Sequence, residues 1–256
     1  MIPLPYFHWT YVWIPQFGAF IWFGTLLSML VTWLAQGRTR YESMEGPIAY
    51  ISDIGANFLK PLFVTGCSIT AVCFFLSLVI ERWLRRSGRL IKTMRRREKV
   101  YAVLAIVSSF IAGVGLILLS VFDTARHSSL HRLFLLIFMV GVILSAIFTV
   151  VEYRWISKDY SGYRALQTAY RAKGIIAGLL IILAIAFGVT MYKRVANVAA
   201  ILEWVIAFGF TLYLLTFAYD LRMSKGVPRH HFHQESATQG YTTPSPEMSN
   251  VHVARY

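Results

Sequence analysis

Charge is scarce in this 256-residue chain: Asp, Glu, Lys and Arg make up 14% of it, where a soluble domain carries about 25%. That shortage excludes an ordinary water-surrounded domain, and the 57% hydrophobic content and mean hydropathy of +0.56 agree. Acidic residues are scarcer still, 12 against 25 Lys and Arg, for a formal charge of +13. In a soluble protein that excess would point to nucleic acid. In a membrane protein it marks cytosolic flanks, so no nucleic-acid partner is expected. Cysteine occurs only as Cys67 and Cys73, six apart in one apolar run. This excludes a disulfide framework and predicts two small buried side chains. No Asn-x-Ser/Thr glycosylation site occurs. The opening stretch MIPLPYFHWTYVW lacks a basic n-region and leads into a run too long for a signal peptide, so the first span is expected to be retained. No repeat with a period of about 20 to 50 residues is visible.

What the chain does contain is six long apolar runs. A helix needs about 20 apolar residues to cross about 30 Å of hydrocarbon, because it must satisfy its own backbone hydrogen bonds there. The runs lie near 13–35, 61–80, 100–122, 133–151, 174–192 and 199–219. An all-α membrane protein follows, a six-transmembrane helix bundle with a membrane domain over 1–222. Basic residues decide its sidedness. The second loop holds nine, Arg82, Arg85, Arg86, Arg89, Lys92, Arg95, Arg96, Arg97 and Lys99, the fourth holds five and the tail four. The odd loops hold three, two and two, so the even loops and both termini are expected in the cytosol. Tyr6, Trp9, Tyr11, Trp13, Trp83, Tyr153 and Trp155 fall near that boundary, where amphipathic rings collect.

From 223 to 256 the apolar run gives way to Pro, Ser, Thr, His and Gln, which predicts a disordered cytosolic tail without a core. Thr243 and Ser245 each precede proline, the pattern of a proline-directed phosphorylation site. His230, His231 and His233 are read as solvated, since a disordered trio must be ordered before it holds a metal.

Polar groups at membrane depth are costly, so each asks for a reason. Three places stand out on the outward side. The first loop carries GPIAYISDIGANFLKP, whose Pro47, Gly55 and Pro61 predict a tightly turned segment holding Ser52 and Asp53 at the bundle mouth. The hairpin FDTARHSSLHRLF spaces Asp123, His127 and His131 four apart. If Ser128 or Ser129 caps the fourth span, the three converge, and they would then form a structural network, hold a headgroup or other anion beside Arg126 and Arg132, or bind a metal. The structural network is the preferred reading, because burying unpaired charge is costly, and the metal motif is weak, since the glutamate that follows the first histidine in a zinc protease is Ser128 here. Glu203 sits about one turn inside the last span and is expected to pair with Lys193, Arg194, Arg126 or the histidines. Inside, the arginine-dense second loop is expected to contact anionic phospholipid or phosphoinositide through Arg85, Arg86, Arg89, Lys92, Arg95, Arg96, Arg97 and Lys99.

Together the six spans, the ISDIGANFLKP loop, the FDTARHSSLH hairpin and the AAILEW entry to the last span resemble the FRAG/DRAM/SFK family, also called the CWH-type N-terminal domain family. The resemblance covers about 13–220. It implies one of three roles: a fungal plasma-membrane protein that supports phosphatidylinositol 4-kinase and lipid asymmetry, a lysosomal autophagy modulator, or a protein of GPI-anchor lipid remodelling. The compact length and basic loop favour the fungal branch. Carried over by position, the resemblance points to Ser52, Asp53, Gly55, Asp123, His127, His131 and Glu203.

The expectation is therefore a non-enzymatic, multi-pass organiser of membrane lipid, with no catalytic residue and no cofactor, placed in the plasma membrane or else in a lysosome, vacuole, Golgi or endoplasmic reticulum. The alternative from another class is an intramembrane lipid-modifying enzyme using Asp123, His127 and His131 around a metal or as acid and base. A transporter ranks last, because no acid–base pair is evident near the centre of any run.

Overall fold

The computed structural model of the chain describes residues 10–87, 90, 96–159 and 164–222, with side chains at all but 10 and 155–169. The elements are α1 (Thr10–Ala35), α2 (Ile51–Gly55), α3 (Lys60–Arg86), α4 (Arg96–Val121), α5 (Ser128–Asp159), α6 (Arg164–Tyr192) and α7 (Ala196–Arg222). Among the described residues there is no strand. All but α2 contain a stretch long and apolar enough to cross a membrane, as the six runs predict. The tail, with Thr243, Ser245 and its three histidines, lies outside the described residues.

Several helices outrun their apolar segments. α3 continues to Arg86 and α6 already begins at Arg164, because a helix does not stop where hydrocarbon stops. Glu81 and Arg85 extend α3 as an i,i+4 acid–base pair of the favoured order. At its other end Pro61 sits in the first turn of α3, where a missing N–H is costless.

The spans close a ring. From α3 to α7 each packs on the next, and α1 lies against both α3 and α7. Small residues set the tightest seam, between α4 and α5. A Cβ on Gly115 would lie 2.9 Å from the backbone N of Phe138, and one on Gly141 would lie 2.9 Å from Ala112. Gly115, from SSFIAGVG, and Gly141 thus permit close helix approach. The centre is aromatic: Phe74 meets Phe210 at 5.4 Å and Phe217 at 6.0 Å, both edge to face. Cys67 and Cys73 are buried and unpaired, as read from the sequence. The outer face is hydrocarbon-like, with Phe20, Ile175, Ile182 and Ile185 well exposed, as a lipid-bathed surface requires.

The expected aromatic boundary is only partly there. Trp13 and Trp83 are exposed, but Tyr11 and Tyr153 are buried. Tyr153 points inward because its hydroxyl has charged partners inside the bundle. Tyr6, Trp9 and the side chain of Trp155 lie outside the described residues and side chains.

Candidate functional site

At the end of the bundle away from the basic loop, the first loop folds back over the helices and is pinned there. Its short α2 is started by Asp53, whose Oδ2 accepts the Tyr50 N–H at 3.0 Å while Oδ1 accepts the Ser43 hydroxyl at 2.6 Å. Burial pushes the Asp53 carboxyl above its ordinary value, against the pull of those hydrogen bonds. The Tyr50 hydroxyl donates to the Ala196 carbonyl at 3.1 Å. Burial first, and then the Glu203 charge, push its phenol up to about 12. Gly55 is required by contact: a Cβ there would stand 2.5 Å from the Phe63 ring. Ser52 lines the space beneath the loop.

Glu203 does not pair with a cation. Its Oε2 accepts the Ile51 N–H at 2.9 Å, so the acid of α7 caps the first turn of α2, a carboxylate at a helix start. The cations expected as its partners, Lys193, Arg194 and Arg126, are exposed.

Nor do Asp123, His127 and His131 converge. Asp123 is buried and holds Lys60 at 2.5 Å. Burial raises its carboxyl, but the Lys60 ammonium and the Arg126 N–H outweigh this and hold it below the ordinary value. His127 turns its ring edge-on to Phe122 at 5.6 Å and stays exposed. His131 is 3% exposed, and its Nδ1 lies 2.8 Å from the Leu119 carbonyl and 3.0 Å from that of Phe122. Both partners are acceptors, so Nδ1 carries the proton. Among the described residues no three His, Cys, Asp or Glu side chains come together as metal ligands. The hairpin turns at Thr124, Ala125 and Arg126, between Asp123 and His127, and His131 lies in the first turn of α5, yet each of the three side chains is drawn to a different neighbour.

What these residues do surround is a polar vestibule of about 360 Å³, lined by Tyr50, Ser52, Asp53, His131, Arg132 and Glu203 among others. Below it runs a cleft of about 90 Å³ between α5, α6 and α7, whose walls are almost wholly apolar. Leu135, Phe187 and Glu203 line both, so the two spaces lie side by side across these side chains. On α6 the cleft runs from Phe187 to Ala177, about 15 Å at 1.5 Å per residue, or about half the hydrocarbon core.

A second polar assembly, absent from the sequence reading, lies at the other end. Lys173, fully buried, pairs with Asp220 at 2.6 Å. Arg85 pairs with Glu81 at 2.8 Å. Tyr153 joins the pairs: its hydroxyl bonds to Glu81, receives Lys173 at 3.2 Å, and its ring stacks on Tyr170 at 4.2 Å. The Lys173 ammonium also stands 3.4 Å from the centre of the Phe217 ring. Arg85 is therefore interior, not a cytosolic lipid contact, because Glu81 and the tyrosines satisfy it where lipid cannot reach. Arg86, Arg96, Arg97 and Lys99 are exposed; Arg89, Lys92 and Arg95 lie outside the described residues. The clue in the sequence was three acid or base positions, at 81, 173 and 220, each abutting an apolar run and so readable as span rather than flank.

A model of the family described as the Frag1/DRAM/Sfk1/Cwh43P N-terminal domain matches residues 10–224. Protein sfk1 of Schizosaccharomyces pombe is 29% identical over 211 residues, covering 82% of this chain and 63% of that protein. Protein SFK1 of Saccharomyces cerevisiae is 25% identical over 194 residues, covering 64% of this chain and 54% of that protein. The chain thus spans less than two thirds of the length of either relative. No solved structure matches.

Proposed function

Because the chain belongs to the Frag1/DRAM/Sfk1/Cwh43P N-terminal domain family and is similar to fungal members over most of its length, we propose that it organises membrane lipid without catalysis, by holding phospholipid within its bundle. The observation that carries this is the adjacency of a polar vestibule and an apolar cleft about half a bilayer deep, which share Leu135, Phe187 and Glu203 as lining residues. A phospholipid has that polarity and that length. The cleft is small, so it seats part of one acyl chain while the rest of the lipid stays in the bilayer.

An enzyme would need a nucleophile, a base and an orienting group in mutual reach. Asp123, His127 and His131 are instead engaged separately by Lys60, Phe122 and backbone carbonyls. In the same reading the exposed Arg86, Arg96, Arg97 and Lys99 lie on the cytosolic side and attract anionic phospholipid or phosphoinositide, at about 1 kcal/mol for each cation near an anionic leaflet. A phosphatidylinositol 4-kinase complex at the plasma membrane is the partner that the family resemblance implies for that face.

The test is retention of lipid by the full chain in mild detergent, read by native mass spectrometry. Wild type is expected to keep bound phospholipid. Ala184→Trp, which fills the cleft, is expected to lose most of it, whereas Ile182→Trp on the lipid-bathed face keeps it. Wild-type protein free of phospholipid, or an Ala184→Trp variant as loaded as wild type, would overturn the proposal.

A further inference from the structure

Acceptors dominate the vestibule. Glu42, Glu45, Asp53 and Glu203 all line it, and Arg132 is its one lysine or arginine among the described lining residues. Asp53 is spent on Ser43 and Tyr50, and Glu45 on Arg132 at 3.0 Å. Glu42 is exposed and makes no hydrogen bond among the described residues, and on the less exposed lining residues two more acceptor atoms are left over. Glu203 uses only Oε2, so its Oε1 has no hydrogen bond among the described residues. His131 uses only Nδ1. When the ring is neutral, with its proton on Nδ1, Nε2 is a lone-pair acceptor, on a side chain 3% exposed and without a hydrogen-bond partner there among the described residues. Both atoms belong to side chains that line the vestibule, where a ligand carrying N–H groups would satisfy them.

Resting on the lipid-holding reading above, we infer that the vestibule is built to receive a primary ammonium, so that the lipid held there is an ethanolamine phospholipid. Its ammonium offers three N–H donors and a positive charge to an acid-rich chamber. Its phosphate falls to Arg132, whose one ion pair among the described residues, to Glu45, is exposed and exchangeable. A choline lipid brings the charge but no N–H donor. A lipid with net negative charge meets an excess of carboxylates. The apolar cleft beneath takes part of the tail, which separates this ligand from a free amine such as ethanolamine itself.

The experiment offers delipidated full-length protein equal amounts of phosphatidylethanolamine, its mono- and dimethyl derivatives, phosphatidylcholine and phosphatidylserine with identical chains, with bound species read by native mass spectrometry. Wild type is expected to favour phosphatidylethanolamine over phosphatidylcholine by about tenfold, the worth of one charge-assisted hydrogen bond, with affinity falling at each N-methylation. Two variants are expected to flatten the series while still retaining lipid: Glu203→Gln, and His131→Asn, which keeps a donor near the two carbonyls but removes Nε2. Equal retention of all headgroups, a preference for phosphatidylserine, or a preference unchanged in both variants would overturn the headgroup assignment and leave the lipid-holding proposal standing. Retention of no phospholipid at all would overturn both.

Discussion

Lys173 shows how a single residue in hydrocarbon surroundings is made tolerable. It has no exposed surface, and an unpaired ammonium there would be prohibitive. Asp220, the Tyr153 hydroxyl and the Phe217 ring enclose it instead. Removing one partner of a buried ion pair strands the other, at about 3–5 kcal/mol, whereas removing both together is far cheaper. Lys173→Met alone is therefore expected to lower resistance to SDS-induced unfolding by about that much, and Lys173→Met combined with Asp220→Asn to recover most of it. A double variant as unstable as the two losses added would show that the pair is not the coupling. Little of this was legible in the chain. Lys173 and Asp220 each stand just outside an apolar window, 47 positions apart, and look like flanking charges until the helices are seen to continue past them. The outer side chains were better marked. Asp53, Asp123, His131 and Glu203 were singled out because polar groups near hydrocarbon need partners, yet their partners were mostly backbone atoms, which carry no sequence signature.

At the scale of elements the sequence was most informative where one physical requirement dominated. The need for about 20 apolar residues located all six spans, and the turn residues of the first loop announced an ordered segment, realised as α2. Helix ends were missed because apolarity stops before hydrogen bonding does. The α4–α5 seam makes a sharp test of glycine. At Gly115 a Cβ would press on backbone at 2.9 Å, whereas at Gly113 the nearest atom is 3.5 Å away. Gly115→Val is expected to destabilise the protein by about 1–3 kcal/mol or more through overpacking. Gly113→Ala is expected to be neutral or to gain up to about 1 kcal/mol from helix propensity. Both are read from thermal denaturation of the purified protein. Similar losses at the two positions would contradict the close approach described.

For the whole molecule the organising quantity is charge. Among the described residues exposed cations stand at both ends, Arg86, Arg96, Arg97 and Lys99 at the one bearing the second loop and Arg126, Arg132, Lys193 and Arg194 at the other, where the carboxylates of the vestibule also lie. If the basic end is cytosolic, an impermeant maleimide applied to intact cells labels Glu42→Cys at once and Arg97→Cys only after permeabilisation. The background is silent, because Cys67 and Cys73 are buried. Labelling in the opposite order would reverse the sidedness and put the vestibule in the wrong leaflet. The vestibule itself was out of reach of sequence reasoning, since it is assembled from loops and helices more than 150 residues apart, as the Ile51 to Glu203 bond shows.

Between the two charged assemblies the interior is oily. The floor of the cleft at Ala177 and Tyr213 stands one turn above Lys173 and Phe217, and the described side chains form no chain of hydrogen bonds from Glu203 to Asp220. An ion entering from the vestibule would have to shed its water and climb through a slab as insulating as the surrounding lipid tails. If the vestibule holds a lipid as proposed, the described interior gives that headgroup a berth at the mouth and no polar passage down the axis of the bundle.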